Sequence, residues 1–214
     1  METKPTMPNS RGGIVEYTTA MAMAGTTGAF VVESGQPVLN VIFARCLIGS
    51  IAIAMYVYFK KSLSVTKITK RNLILTFTVS ISIVLNWVLL YSSYHYAPIG
   101  IVTVIYHIQP VFVFIAGAVL FRERVNATQL VSLLLAFCGV ILIAGSGKIG
   151  WGSTQGANFG YVLALGAAIF YACATLVGKR LSEVPAPVTT LSTMTVGAFV
   201  LAPMVDYATP PTSV

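Results

Sequence analysis

Seven apolar segments run through this chain of 214 residues, and the short connections between them are alternately basic and nearly uncharged. A bilayer core of about 30 Å is crossed by about 20 apolar residues in a helix. Because lipid cannot satisfy exposed backbone polar groups, such segments cross it as helices. The pattern predicts an all-α polytopic membrane protein, a bundle of about seven transmembrane helices. The predicted spans are residues 14–32, 37–59, 73–94, 101–121, 128–144, 160–178 and 188–205.

The lysine and arginine distribution predicts the orientation of these spans. Two basic residues lie in the N-terminal tail, five in 60–72, two in 122–127 and two in 179–187, whereas the intervening connections contain only Lys148. Short loops rich in Lys and Arg stay on the cytoplasmic side of a membrane. The alternation therefore predicts a multi-pass protein with a cytoplasmic N-terminus.

Composition excludes several other classes of protein. The chain is 56% hydrophobic and 9% charged, whereas soluble domains carry about 25% charged residues. The net charge of +7 is spread over several loops instead of forming one patch, which argues against nucleic acid. The five basic residues of 60–72 suit a contact with anionic lipid heads. The three cysteines lie inside apolar segments, and no metal-binding, nucleophile or phosphate-binding motif occurs. We therefore expect no cofactor, no metal and no enzymatic activity.

The glycine-rich stretch 145–153 is the best internal boundary in the chain. Five predicted helices precede it, and an odd number means that a second copy would enter the membrane from the opposite face. This is the inverted-repeat architecture of many secondary transporters. The sequence predicts a first five-helix repeat at 13–146, an inter-repeat loop at 147–159, and the start of a second repeat at 160–214. Because only two helices of that second copy are present, we expect a C-terminally truncated chain or a fragment.

Residues 86–140 carry the most distinctive pattern, and further matching positions lie on either side of them. The matching positions are Arg45 in the second span, Pro110 in the fourth, the pair Glu123 and Arg124 at its end, Gln129, Gly139, and Lys179 after the sixth span. In order and spacing they resemble the EamA-type branch of the drug/metabolite transporter superfamily. The resemblance covers residues 13–207 and implies ten helices in two repeats.

The resemblance also implies a function. It points to a secondary transporter, with a bias towards export, that moves amino acids or amphipathic compounds across a bacterial inner membrane by alternating access. A homodimer is left open. One alternative is a seven-helix receptor, but that class has an external N-terminus and its retinal members need a lysine in the seventh helix, where 188–214 has none. The other is a membrane enzyme, but the six acidic residues are scattered.

Six residues are candidates for contact with a small-molecule substrate. Asn86 is costly to leave unpaired in lipid, and it belongs to a polar stripe on one face of the third span. Pro110 lacks an N–H, so the carbonyl of Tyr106 loses its helical partner and the helix is expected to bend. Such irregular polar backbone is typical of solute sites in membranes. His107 and Gln109 lie about 200° apart on a helix, so they cannot face one cavity. The candidates are Asn86, Trp87, Tyr106, His107, Gln109 and Tyr171.

Four further residues are interpreted as structural: Arg45, Pro110, Glu123 and Lys179. Arg45 lies about 12 Å from the outer end of its span, at 1.5 Å per residue. Its charge could anchor an anionic substrate group, or its side chain could snorkel outward or bind helix-end carbonyls. We favour the structural interpretation. Tyr171 could equally face the cavity or pack in the core among the alanines of the sixth span.

Overall fold

The computed structural model describes residues 10–60, 69–121, 156–181 and 184–206, together with residues 128, 131–132, 134–135, 137–139 and 142. In these parts of the chain the only regular structure is helical, which confirms the predicted all-α class. The described residues between 128 and 142 are helical as well. The helices are α1 (Ser10–Glu33), α2 (Val38–Lys60), α3 (Lys70–Ser93), α4 (Ile99–Tyr106), α5 (Gln109–Phe121), α6 (Ala157–Gly178) and α7 (Ala186–Leu201).

Five helical spans are long and apolar enough to cross a membrane, judged over the described residues. They correspond to the second, third, fourth, sixth and seventh predicted segments. Helix α1 has 24 residues but is not among them, since its threonines, glycines and Glu16 lower its hydropathy. The predicted total of seven therefore stays a prediction. The five spans are Val38–Phe59, Lys70–Ser93, Ile99–Leu120, Ala157–Leu181 and Ala186–Met204.

The fourth span is broken where the sequence predicts a bend. Helix α4 ends at Tyr106 and α5 begins at Gln109, with a turn at residues 107–108 between them. Pro110 has no N–H to donate to the carbonyl of Tyr106. The backbone N–H groups of the next two residues, Val111 and Phe112, both donate to the carbonyl of Ile108, at 2.9 and 3.3 Å.

Small residues let the helices approach closely. Helix α6 packs against α3, α4 and α5, and α7 packs against α2 and α3. A Cβ at Gly160 would lie 2.9 Å from the Cβ of Ala97, and one at Gly197 would lie 2.6 Å from the Sγ of Cys46. The alanines of α6 form a packing surface. Its buried members are Ala164, Ala167, Ala168, Ala172 and Ala174.

Contacts at the helix ends determine which ends share a membrane face. The amide of Asn40, near the start of α2, donates to the backbone carbonyl of Asp206 after α7 at 2.9 Å, and its Oδ1 accepts from the Asp206 N–H at 3.1 Å. The rings of Tyr96, after α3, and Phe159, at the start of α6, meet edge to face at 5.0 Å. These pairs agree with antiparallel neighbouring spans. Which face is cytoplasmic stays a prediction.

Candidate functional site

Asn86 connects three helices in the interior of the bundle. Its side chain is 1% exposed. The Nδ2 donates to the backbone carbonyl of Ala167 on α6 at 2.7 Å and to the Tyr106 hydroxyl, at the end of α4, at 3.2 Å. A buried amide must find such partners because an unpaired polar group in an apolar medium is costly. The side chain therefore sets the rotation of α3 relative to α4 and α6.

Tyr106 and Tyr171 form the aromatic part of the same group. Their ring centroids lie 6.2 Å apart at 75°, an edge-to-face arrangement that aromatic pairs favour. The Tyr106 hydroxyl can also donate to the Oδ1 of Asn86, at 3.4 Å. Both rings are half-buried. The structure thus brings three of the six candidate residues together: Asn86, Tyr106 and Tyr171. We call these three residues the Asn86 group.

His107 and Gln109 differ in their surroundings, as their predicted angular separation implies. The His107 side chain is exposed, and its Nδ1 lies 2.7 Å from the carbonyl of Thr103 one turn earlier. Its ring meets the edge of Tyr106 at 6.3 Å. The Oε1 of Gln109 is buried, and no hydrogen-bond partner for it occurs in the part of the chain that the structure describes. His107 therefore lies at the margin of the Asn86 group. The Oε1 of Gln109 accepts no hydrogen bond from the described residues.

A second cluster joins α2 to α3 and holds the sixth candidate, Trp87. The guanidinium carbon of Arg45 lies 4.5 Å from the centroid of the Trp87 ring, and its Nη1 donates to the Tyr91 hydroxyl. Tyr91 is 4% exposed and stacks on Tyr94 at 6.1 Å. We call Arg45, Trp87, Tyr91 and Tyr94 the arginine cluster. A cation over an aromatic face contributes about 0.5–2 kcal/mol, more when desolvated.

Tyr91 was not singled out as a candidate from the sequence. The available signal was the spacing of Trp87 and Tyr91, four residues apart and therefore on one face of α3. A residue on another helix supplied the cation, so the pairing required the tertiary structure. Arg45 lies on α2, and 46 positions separate it from Tyr91.

The Asn86 group and the arginine cluster lie at similar depth along the helices of the bundle. Arg45 is seven residues into α2, Trp87 is six residues before the end of α3, and Tyr106 is seven residues into α4. At 1.5 Å per residue each lies about 9–11 Å from the same end of the bundle. A charge near the bilayer centre costs about 2.5–3.5 kcal/mol on insertion scales, so such residues face the bundle interior or a water-filled cavity.

The remaining structural candidates have local roles or lie outside the described residues. Pro110 is in the first turn of α5, where its missing N–H is tolerated. Lys179 begins a 3₁₀ turn directly after α6, at a helix end whose dipole favours a cation. Its backbone N–H binds the carbonyls of Thr175 and Val177. Glu123 lies outside the described residues.

A hydroxyl cluster between α3 and α7 was not singled out from the sequence. Ser80 and Thr193 are buried, with their oxygens 3.2 Å apart, and the Ser192 oxygen lies 3.5 Å from that of Ser80. Each buried hydroxyl also binds a carbonyl one turn earlier on its own helix. The cluster stabilises the α3–α7 contact. Over the described residues, His, Cys, Asp and Glu form no group of three that could hold a metal ion.

Comparison with known proteins places this arrangement in a family. Residues 13–145 match the EamA-like transporter family. A Bacillus subtilis (strain 168) protein named "Uncharacterized transporter YxxF" is 28% identical over 195 residues, which are 91% of this chain and 62% of the relative. An Archaeoglobus fulgidus protein named "Uncharacterized transporter" is 30% identical over 109 residues, 50% of this chain and 37% of the relative. The chain therefore spans less than two thirds of the length of these curated relatives.

A solved crystal structure supports the fold independently of sequence. It superposes with a TM-score of 0.66 and covers 90% of this chain and 64% of its own, at 18% sequence identity. From the family match over 13–145 and the apolar helical spans it follows that this chain belongs to the EamA-like transporter family and is a multi-pass membrane protein.

Proposed function

We propose that the protein is a secondary transporter that moves a small polar metabolite, such as an amino acid, or an amphipathic compound across a bacterial inner (plasma) membrane. The observation that carries this proposal is the buried Asn86 amide, which joins α3, α4 and α6 inside the bundle in a chain of the EamA-like family. No nucleotide-binding motif occurs in the sequence. Transport is therefore driven by an ion gradient or by the gradient of the solute.

Alternating access is supported by the way the last helices pack. In the predicted inverted repeat, α6 and α7 begin the second copy. Helix α6 packs against α3 and α7 packs against α2, so both proposed repeats contribute to one interface. The break between α4 and α5 supplies irregular backbone near Asn86, as in transporters whose sites form at discontinuous helices. Movement of one repeat against the other would expose this region to each side in turn.

The proposed substrate contacts divide by chemistry. Asn86, Tyr106 and Gln109 supply hydrogen-bonding groups, and the acceptor of Gln109 has no partner among the described residues. Trp87 and Tyr171 supply aromatic faces for an apolar portion. His107 borders Tyr106 and is the sixth contact. Export is the proposed direction, with the N-terminus in the cytoplasm.

Uptake into everted membrane vesicles tests this function. The native protein, expressed in a host lacking related exporters, is assayed with a panel of radiolabelled amino acids. We expect at least one to accumulate above control vesicles, and we expect Asn86→Ala, Trp87→Ala and Gln109→Leu to reduce it. Asn158→Ala, at an exposed position at the start of α6, is the matched control for Asn86→Ala. Unchanged uptake in all three variants would remove the proposed site, and an inactive native protein across broad panels would contradict the function.

A further inference from the structure

We propose that Arg45 binds a carboxylate of the transported solute, so that the substrates of this protein are small carboxylic acids, amino acids among them. The inference rests on the proposed transport function and deepens it by naming the substrate class. It assigns to Arg45 the anionic-anchor role, in place of the structural one that the sequence alone favoured.

The contacts of Arg45 orient its guanidinium without neutralising it. One face lies over the Trp87 ring, and Nη1 donates to the Tyr91 hydroxyl. Neither partner carries a negative charge. A guanidinium has five N–H donors in a rigid fork, and a ring contact uses the face of the group, not its N–H edge. The donors not directed at Tyr91 therefore remain for a ligand.

A counter-charge for Arg45 is missing from the described residues. Its interactions there are with Trp87 and Tyr91, neither of which is acidic. Intramembrane cations elsewhere pair with acidic side chains or backbone carbonyls, or face a water-filled cavity. An exposed, oriented guanidinium that has no acidic partner among the described residues suits an anion that binds and dissociates.

Carboxylate is the anion that this geometry favours. A guanidinium fork matches the two oxygens of a carboxylate in a bidentate pair. Trp87, under Arg45, directly follows Asn86 in α3, and the hydroxyl of Tyr94, stacked on Tyr91, lies 3.5 Å from where a Cβ of Gly28 on α1 would be. A solute bound by Arg45 would therefore lie against α3, on the side of Trp87 and Tyr91 and close to α1.

Tryptophan fluorescence tests the binding step without transport. The sequence contains two tryptophans, so Trp151→Phe leaves Trp87 as the only reporter, 4.5 Å from the guanidinium. The protein in phosphatidylcholine nanodiscs is titrated with 4-methylpentanoate and with 4-methylpentanamide, which share a carbon skeleton. We expect a saturable change with the acid and roughly tenfold weaker binding of the amide, the loss of one charge-assisted pair.

Two variants separate a specific role from a folding defect. Arg45→Gln should bind acid and amide equally, whereas Arg45→Lys should keep a preference for the acid because it keeps the charge. Arg71→Gln, at the exposed start of α3, should behave as the native protein. If Arg45→Gln fails to give monodisperse protein, Arg45→Lys together with the native acid-to-amide ratio still decides the question.

The inference is overturned if the native protein binds acid and amide equally, or if Arg45→Gln retains the preference. Competition in vesicles separates it from the transport proposal. Uptake of an amino acid that acid and amide inhibit equally would refute the carboxylate site alone, whereas acid-selective binding without uptake would refute the transport function alone.

Discussion

Substitution of Asn86 should lower both the free energy of unfolding and the rate of transport. Asn86→Leu keeps the approximate volume but leaves the Ala167 carbonyl and the Tyr106 hydroxyl without their shared amide. An interhelical hydrogen bond in a membrane contributes about 0.6–2 kcal/mol, and we expect the free energy of unfolding to fall by about this amount per bond. Reversible unfolding in mixed detergent micelles measures it.

The control for Asn86→Leu is Thr78→Val on the same helix. The Thr78 hydroxyl donates to the carbonyl of Ile74, one turn earlier, at 2.9 Å, so its loss should leave the helix contacts intact. We expect the free energy of unfolding to change by no more than about 0.5 kcal/mol, as for substitutions away from packing features. Equal destabilisation by the two variants would contradict a cross-linking role for Asn86.

The break between α4 and α5 depends on Pro110 and gives a prediction at the level of the helix. Pro110→Ala restores an N–H that can reach the Tyr106 carbonyl, which would join α4 to α5. We expect the free energy of unfolding to rise by about 1 kcal/mol, one backbone hydrogen bond, and the rate of uptake to fall because the span loses its irregular turn. Thermal unfolding and vesicle uptake of the same preparation measure the two effects, and unchanged uptake in a stabilised variant would show that transport does not need the break.

The close approach of α2, α3 and α7 depends on Gly197. An added Cβ would lie 2.6 Å from the Sγ of Cys46 and 3.1 Å from the Cγ2 of Val84. Overpacking of this kind costs about 1–3 kcal/mol, so Gly197→Ala should lower the midpoint of thermal unfolding. Adding Cys46→Ala removes the nearest atom and should recover part of the loss.

Gly178→Ala is the matched control, because no atom lies within 4 Å of its added Cβ. This substitution in α6 should be neutral or stabilising by up to about 1 kcal/mol, the usual preference of a helix for Ala over Gly. A similar loss of stability in both variants would contradict the packing explanation for Gly197, because helix propensity favours Ala over Gly at both positions.

The orientation of the whole molecule is open to a direct test. The basic connections predict that the N-terminus and residues 61–68 lie in the cytoplasm, while residues 34–37 and 95–98 lie outside. Green fluorescent protein fused after residue 66 should fluoresce, and alkaline phosphatase fused after residue 96 should be active. The reverse pattern would invert the molecule and the proposed direction of export with it.

The helices themselves were largely predictable, and their departures from prediction have local causes. Helix α3 begins at Lys70 instead of 73 because the Thr69 hydroxyl accepts from the backbone N–H of Asn72 and caps the first turn. Helix α6 begins at Ala157, three residues earlier than predicted, after Gly156 in a left-handed conformation with φ of 94°. A span predicted from hydropathy alone leaves out the polar residues at the helix ends. The predicted span is therefore shorter than the helix.

By itself the sequence determined that lipid surrounds this chain, that its elements are helices, where Pro110 interrupts one, and which family it belongs to. These follow from the length of apolar segments, from the chemistry of one residue and from a linear pattern of residues. Only the tertiary structure decided that Asn86 meets Tyr106 and Ala167, and that Arg45 crosses to Trp87 and Tyr91. Those contacts depend on the rotation of each helix about its own axis. The packing of small residues on neighbouring helices sets that rotation, so it cannot be derived from any one segment of the sequence.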